Sequence, residues 1–329
     1  VAAAELGIMF GKQTIVVVDG EAYTIIGKKP IAEGATAAIY KCKRQKTKGA
    51  FALKKMTTVD DEQSLLVEKE IKTLLTLNGV NHPNIIQLVG HDSTVDSDAN
   101  HYLIYPLYDV TLDLREIDTP DIELIFSQIL DGLKFILLSG YRHNDIKPQN
   151  ILINNNSKIP VITDFGSTTA ATVVISSRKD ALHYIDFHAR NTTATYRAPE
   201  LWDIPSETIL SPLADAFSAG ALLFALVFGK TAFEYNVGKV RLPDASLYSS
   251  DSVLIKIMLG LLVVDVDKRM SVDDAINSIA NGDISEVQKA KNAEYYKVNI
   301  EAEVDTSIED FADFDEVEEG GSCSEFSDF

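Results

Sequence analysis

One run constrains this chain more than any other. Arg142-His143-Asn144-Asp145-Ile146-Lys147-Pro148-Gln149-Asn150 leads into the apolar triplet Ile151-Leu152-Ile153, a polar turn, and Ile162-Thr163-Asp164-Phe165-Gly166. A loop carrying Asp, Lys and Asn thus passes through two short strands to a second Asp ahead of Phe-Gly. Each of these residues alone is an ordinary turn residue, because Asn and Asp are common in turns. As a set at this spacing they match what phosphoryl transfer requires: a carboxylate to receive a hydroxyl proton, a cation near the moving phosphoryl group, and an amide and a carboxylate to hold a divalent ion. Asp145 is then the candidate catalytic carboxylate and Lys147 the cation. Asn150 and Asp164 are the candidate metal ligands, with Asp164 the main one. His143 reads as a packed scaffold histidine, not a base.

The residues upstream supply what such a loop needs. β-Branched runs at 14–19 and 21–26 meet at Asp19-Gly20, a strand-turn-strand signal. Ile31-Ala32-Glu33-Gly34-Ala35-Thr36-Ala37-Ala38-Ile39-Tyr40 sits where a glycine-rich phosphate loop would sit. Against G-x-G-x-x-G-x-V only Gly34 remains; Ala32 and Ala37 replace the outer glycines and Ile39 replaces Val. On its own the stretch reads as a plain hairpin. As a nucleotide loop it would use Ala32, Gly34, Ala37 and Ile39 and have an altered shape, since alanine adds a methyl and restricts the backbone.

Phe51-Ala52-Leu53-Lys54 is a strand ending in lysine, with a surface lysine as the competing reading. Glu70 lies in 65–77, where Leu66, Ile71, Leu74 and Leu75 recur at helical spacing. A strand Lys and a helix Glu form the ion pair that positions nucleotide phosphates. Glu68 competes, and an exposed helix glutamate is the bland alternative; Glu70 fits better because Ile71 and Leu74 place it at the edge of the apolar face. His82-Pro83-Asn84-Ile85-Ile86 should end this helix and start a strand. Residues 91–100 read as a polar surface loop, Leu103-Ile104-Tyr105 as a short strand, and Pro106-Leu107-Tyr108 as a hinge. Pro106 has no N–H, so an adenine there would depend on neighbouring backbone groups. Residues 122–138 form a helix leading through Gly140 into the loop.

The loop motif, Asp164-Phe165-Gly166 and Ala198-Pro199-Glu200, in that order and with Lys54 and Glu70 upstream, resemble the eukaryotic protein kinases. More narrowly, four segments are similar to the Numb-associated kinase family. They are Asp164-Phe165-Gly166-Ser167, Ser177-Arg178-Lys179-Asp180-Ala181-Leu182, the positions Asp186 and Ala189-Arg190, and Thr193-Ala194-Thr195-Tyr196-Arg197-Ala198-Pro199-Glu200-Leu201. The likeness covers roughly 13–282. It implies an α+β, bilobal protein-kinase fold: a small, mostly β N-lobe at 13–108 and a larger helical C-lobe at 109–297. An N-terminal extension (1–12) and an acidic tail (298–329) flank them. It implies ATP and Mg2+, with Mn2+ as a substitute, and Ser/Thr hydroxyls of proteins as acceptors. By position, Thr193 would bond Asp145 and Lys147, Glu200 would pair with Arg269, and Asp215 would hold the backbone of the catalytic loop.

One departure from the family pattern matters most. Asn144 stands where most kinases carry an arginine that binds a phosphate on the activation segment through charge-assisted bonds. The expectation is an enzyme that needs no activating phosphate, its segment (164–200) held by its own packing and Arg142 pointing elsewhere. The alternative is a pseudokinase scaffold. The depleted glycine loop and Asn144 favour it, and the intact Lys54, Glu70, Asp145, Asn150 and Asp164 oppose it. A small-molecule phosphotransferase is disfavoured by 193–200, which suits a peptide-binding segment.

Composition narrows the partners. With 329 residues and 46% hydrophobic content the chain can bury a core large enough for two lobes. Its net charge is −19, but twelve acids and no Lys or Arg fall in 301–329. No basic stripe is present to release counterions, so nucleic acid is not an expected partner. Cys42 and Cys323 lie far apart, which argues for a reducing compartment and against a disulfide or zinc framework. The longest apolar run, 219–228, suits a buried helix better than a membrane span. The chain begins at Val1, so any earlier targeting or lipidation signal is unread. The resemblance implies a cytoplasmic enzyme, peripheral at the Golgi and in membrane trafficking, touching the membrane only through such an N-terminal lipid anchor. Residues 283–297 are expected to form a last helix. In the tail, Asp310-Phe311-Ala312-Asp313-Phe314 and Glu325-Phe326-Ser327-Asp328-Phe329 resemble ligands of clathrin-adaptor ear domains, where an acid-flanked Phe suits a shallow apolar pocket. A merely solubilising tail is the competing reading.

Overall fold

The computed structural model describes residues 14–34, 37–45, 49–92, 99–112, 119–154, 157–232, 252–283 and 285. The N-terminal part is a seven-stranded antiparallel sheet with one long helix. Its strands are β1 (Ile15–Val18), β2 (Glu21–Ile25), β3 (Ala32–Glu33), β4 (Ala37–Arg44), β5 (Phe51–Thr57), β6 (Gly90–Asp92) and β7 (Asn100–Pro106). The order is β1-β2-β4-β5-β7-β6, with β3 paired to β4. Asp19 and Gly20 both take positive φ, 50° and 72°, the two-residue primed turn that Asp-Gly favours.

Helix α1 (Asp61–Asn78) starts where the Asp60 side chain accepts the Gln63 N–H, a standard N-cap. It buries Val67, Glu70, Ile71, Leu74 and Leu77. The sheet register decides what meets that face. Ile39, Lys54 and Leu103 lie opposite one another across β4, β5 and β7, and opposed residues share a face. Leu53 points the other way, into a small cluster with Val18, Tyr23, Cys42 and Ile104. Met56, two residues beyond Lys54 and on its face, joins the main core with Val67, Ile71 and Leu74. Burying Leu53 on one side is what delivers Lys54 to the helix side.

The C-terminal part is mostly helical. It contains β8 (Val110–Thr111), α2 (Thr119–Leu138), β9 (Tyr141–Arg142), β10 (Ile151–Ile153), β11 (Pro160–Ile162), β12 (Thr169–Ala170), β13 (Val173–Ile175), α3 (Arg178–Asn191), β14 (Thr208–Leu210), α4 (Leu213–Phe228), α5 (Val253–Leu261) and α6 (Val272–Asn281). The short strands pair as β11-β10-β8, β12-β9 and β13-β14. Helix α4 is the axis of this part, since every residue from Ala214 to Leu226 is buried. Among the described residues no helix is long and apolar enough to cross a membrane. The mixed α+β architecture, sheet first and helices after, is the one expected.

Several boundaries differ from expectation. Ile85 and Ile86 do not open a strand. Ile85 forms a single bridge to Ile162, and Ile86 N–H donates to the Ile162 carbonyl at 3.0 Å. Both are buried, and their backbone groups go to the His82 carbonyl, β11 and the Asn78 side chain rather than to the sheet. The polar stretch at 91–100 is not all loop: His91 and Asp92 belong to β6 and Asn100 to β7, while 93–98 lie outside the described residues. Ladder pairing from Phe51↔Pro106 to Thr57↔Asn100 makes β7 longer than its three apolar residues indicate. Of the helix expected over 283–297, only Asp283 and Ser285 are described, and neither is helical. The extension at 1–12 and the tail at 298–329 lie outside the described residues.

Helices α4 and α5 meet at Gly220. A Cβ placed there would sit 2.7 Å from Leu261 Cβ, closer than real Cβ contacts, and a tight 3.2 Å from the Leu261 carbonyl carbon. Neither atom can swing away. Gly220→Ala is therefore expected to destabilise the chain by about 1–3 kcal/mol through overpacking, read as a lower urea midpoint at unchanged m-value.

Candidate active site

The catalytic loop hangs from a buried carboxylate. Asp215, in the first turn of α4 and 0% exposed, accepts the backbone N–H of His143 at 2.6 Å and of Asn144 at 2.8 Å. Burial pushes its carboxyl upward, and the nearby His143 and Arg142 with the two N–H bonds pull it back. Asn144 takes φ 68°, a left-handed conformation that asparagine tolerates better than most residues. His143 is fully buried. Its Nε2 donates to the Thr163 carbonyl at 3.0 Å and its Nδ1 accepts the Asp145 N–H at 3.2 Å, so both ring nitrogens are engaged. Its ring meets Phe165 edge-on at 5.0 Å. This is the geometry of a scaffold residue.

Asp145 is held on both carboxylate oxygens. Oδ1 accepts the Thr193 N–H at 2.8 Å; Oδ2 lies 2.7 Å from Lys147 Nζ and accepts Asn150 Nδ2 at 3.0 Å. Lys147 Nζ also donates to Thr193 Oγ1 at 2.7 Å, and Asn150 Nδ2 donates to the Asp145 carbonyl at 2.8 Å. The four residues form one unit, and Thr193 ties it to the activation segment.

Across the cleft, Lys54 Nζ lies 2.7 Å from Glu70 Oε1 and 3.1 Å from Asp164 Oδ1. Glu70, not Glu68, is the helix partner; it is 4% exposed, whereas Glu68 faces solvent. Burial works against the charge on Lys54, but the Asp164 and Glu70 carboxylates outweigh it and hold the ammonium well above its ordinary value. The same Lys54 charge holds the Asp164 carboxyl below the usual range. Asp164 sits at φ 64° with its side chain about half exposed, while Phe165 beside it is buried. Tyr105, legible in sequence only as a strand residue, is buried next to these charges. Burial, with Glu70, pushes its phenol well above the ordinary value.

Across the sheet, Ala32 lies opposite Ile39 and Ile39 opposite Lys54, so these three share a face. Ala37, two residues before Ile39, joins them. The turn closes tightly: Ile31 N–H donates to the Ile39 carbonyl at 2.7 Å and Gly34 N–H to the Ala37 carbonyl at 2.8 Å. Ala35 and Thr36 lie outside the described residues.

The oxygen donors fit a hard divalent cation bound with a nucleotide. Asp164 has one carboxylate oxygen not taken by Lys54. Asn150 spends its amide nitrogen on Asp145, and its amide oxygen has no partner among the described residues. One carboxylate and one amide oxygen suit a hard divalent cation.

The structure also locates the residues that position the site. Arg269 grips Glu200 in a fork, Nη1–Oε1 2.6 Å and Nη2–Oε2 2.8 Å, the bidentate arrangement that guanidinium favours. Arg142 is fully buried and donates to the Ser211 carbonyl at 3.0 Å and Thr169 Oγ1 at 3.3 Å, pointing away from the cleft. Helix α3 within the activation segment was not anticipated. Its signals are Ser177 capping Asp180 N–H, and the 181–184–188 spacing of Ala181, Tyr184 and His188. β13 pairs with β14 just before it, so the segment is anchored where it enters the helix.

A sheet-borne lysine locked to a helix glutamate, facing a loop carboxylate tied to a lysine and an asparagine, defines a nucleotide-dependent phosphotransferase. The comparisons agree. A family profile described as "Protein kinase domain" matches residues 26–279. The chain is 29% identical over 277 residues to serine/threonine-protein kinase 16 of Homo sapiens, covering 77% of this chain and 88% of that one. It is 26% identical over 279 residues to serine/threonine-protein kinase 16 of Mus musculus, with the same shares. A probable serine/threonine-protein kinase of Dictyostelium discoideum is 26% identical over 273 residues, 77% of this chain but 24% of that one. The chain belongs to the protein kinase family, as an ATP-dependent serine/threonine kinase.

His188 supplies a pH prediction. It is 0% exposed on α3, and neither ring nitrogen has a partner among the described residues. Burial, helped by Arg142 and Arg197, pulls it down from 6.5 to about 3. Between those values the unfolded chain binds the proton and the folded chain does not. Its contribution is therefore fully present above pH 6.5 and declines as pH falls toward 3. At pH 5 the loss is about 2 kcal/mol. Urea titrations from pH 8 to 5 should show this slope, and His188→Leu should flatten it.

Proposed function

We propose that this kinase transfers the γ-phosphate of ATP to serine and threonine hydroxyls of proteins without an activating phosphate on its own segment. The observation that carries the reading is the coexistence of two assemblies. The Lys54–Glu70–Asp164 ion cluster and the Asp145–Lys147–Thr193–Asn150 unit are both closed while Asn144, not arginine, occupies the loop.

The roles follow from the contacts. Lys54, fixed by Glu70, receives the nucleotide phosphates. Asp164 and Asn150 hold the divalent cation, Mg2+ in this reading, which neutralises phosphate charge when bound. Asp145 orients the acceptor hydroxyl and takes its proton as the new O–P bond forms and the bond to the ADP oxygen breaks. Lys147 stabilises the charge on the moving phosphoryl group. Catalysis by these residues is positioning and electrostatics rather than covalent chemistry. Ala32, Gly34, Ala37 and Ile39 cover the phosphates with a stiffer loop than three glycines would give.

The acidic tail belongs to the same proposal. Its repeated acid-flanked Phe-x-Asp-Phe pattern supports binding to clathrin-adaptor ear domains. That in turn supports work on the cytoplasmic side of the Golgi in membrane trafficking, with any lipid anchor N-terminal. Failure of a tail peptide to bind purified ear domains at high micromolar concentration removes this part.

The central test is transfer from labelled ATP with Mg2+ or Mn2+ to a generic Ser/Thr substrate after phosphatase treatment. The treated chain is expected to be active. Asp145→Ala and Asp164→Asn should each lose roughly 10²–10⁴-fold in kcat. Activity that appears only after phosphorylation of 164–200 would overturn the proposal.

A further inference from the structure

Asn144 is 2% exposed, and its side chain is turned into the protein. The two hydrogens of its Nδ2 are shared among three acceptors, the Ser167 carbonyl at 2.7 Å, Thr169 Oγ1 at 3.0 Å and the Arg142 carbonyl at 3.3 Å. Two of these neighbours are carbonyls, which only accept, so the amide nitrogen and not its oxygen must face them. Ser167 and Thr169 are the first residues of the activation segment beyond Asp164-Phe165-Gly166.

The chain of contacts continues and closes on itself. Ser167 Oγ donates to the carbonyl of Asn191, the last residue of α3. Two residues on, Thr193 N–H binds Asp145 Oδ1, and Asp145 follows Asn144 in the loop. The ring therefore runs from the Asn144 amide through Ser167 and Asn191 to Thr193 and back to Asp145. Arg142 reinforces it by donating to Thr169 Oγ1, and β9 pairs with β12 at Arg142↔Thr169. The backbone under Asn144 is held by Asp215. No link of this ring is an ion pair.

We infer that Asn144 is a positioning residue: its buried amide pins the start of the activation segment to the catalytic loop and, through Ser167 and Asn191, helps set Thr193 against Asp145. The clamp rests on the phosphate-independent reading above and gives it a physical cause. An uncharged donor fixed by the fold takes the place of a phosphate bound by a cation, and it is always present.

The test uses the full, phosphatase-treated chain and three variants. Asn144→Asp keeps the shape but sets an acceptor against two carbonyls. Asn144→Gly keeps the left-handed backbone comfortable and deletes the amide, so strain cannot explain its effect. Ser167→Ala cuts the ring at a different place and covers the case in which an Asn144 variant does not fold. Each is read by kcat, by KM for ATP and by hydrogen exchange at 167–169 and 191–193. Asn144→Asp and Asn144→Gly are expected to lower kcat roughly 10–100-fold, as a misplacement of about 1 Å does, with KM for ATP changed less than about threefold. Exchange should quicken at both segments, and Ser167→Ala should shift both readouts the same way. Wild-type kcat and exchange in Asn144→Gly, or a lower melting temperature with kcat untouched, would overturn the clamp. If the phosphatase-treated wild type is itself inactive, the phosphate-independent reading falls. The clamp is then decided by exchange alone: faster exchange at 191–193 in Asn144→Gly upholds it, and unchanged exchange removes it.

Discussion

The site depends first on the buried carboxylate of Asp215. Taking a carboxylate out of water costs several kcal/mol unless its lone pairs are filled. Here two consecutive backbone N–H groups fill them, from His143 and Asn144. Asp215 stands on α4, the most buried helix of the fold, so the loop inherits the rigidity of the core. Every distance around Asp145 presupposes this attachment. The exchange is reciprocal: the loop's N–H groups would otherwise be buried donors without acceptors, and the carboxylate would be a buried charge without donors.

The second constraint joins the two halves of the molecule. Lys54 comes from the sheet, Glu70 from α1 and Asp164 from the segment after β11, and three charges of alternating sign meet within 3.1 Å. Burying Lys54 alone would cost more than either pair returns; two carboxylates keep it charged. Asp164 is the partner left open to the cleft, so it can serve the lysine and a cation at once. Phe165 beside it is buried under α1 and edge-on to His143, which links the position of the helix to the loop that Asp215 holds. Sheet, helix and loop are thus coupled through one dipeptide.

Much of the site was legible because the chemistry demands particular side chains at fixed separations. Lys54, Glu70, Asp145, Lys147, Asn150 and Asp164 could be picked out in order, and the structure brings them into two clusters. What escaped was whatever tertiary contact decides. Helix α3 has a thin apolar face, with Ala181 and His188 its buried residues, too weak a stripe to stand out. Ile85 and Ile86 look like a strand but make only a single bridge to β11, and no local pattern announces a partner some 75 residues away. The loss of an arginine at Asn144 was visible in the sequence. The direction of its side chain was not, because it follows from a φ of 68° imposed by Asp215.

That dihedral has a counterpart. Asn144 and Asp164 both lie at positive φ, 68° and 64°, each beside a residue of the chemistry or serving in it. Non-glycine residues in this region cost of order 1–3 kcal/mol, less for Asn and Asp, and persist only when their surroundings over-determine them. Both are over-determined here, Asn144 by the bonds of its backbone N–H and its side-chain amide, and Asp164 by Lys54 and the burial of Phe165. The left-handed turn at Asn144 sends its side chain to the start of the segment and the next side chain, Asp145, to Lys147, Asn150 and Thr193. At Asp164 the same turn separates a carboxylate facing the cleft from an aromatic ring facing the core. An arginine at 144 would be less at ease in this conformation than asparagine. The residue that departs from the family pattern is therefore the one that suits the backbone found at its position.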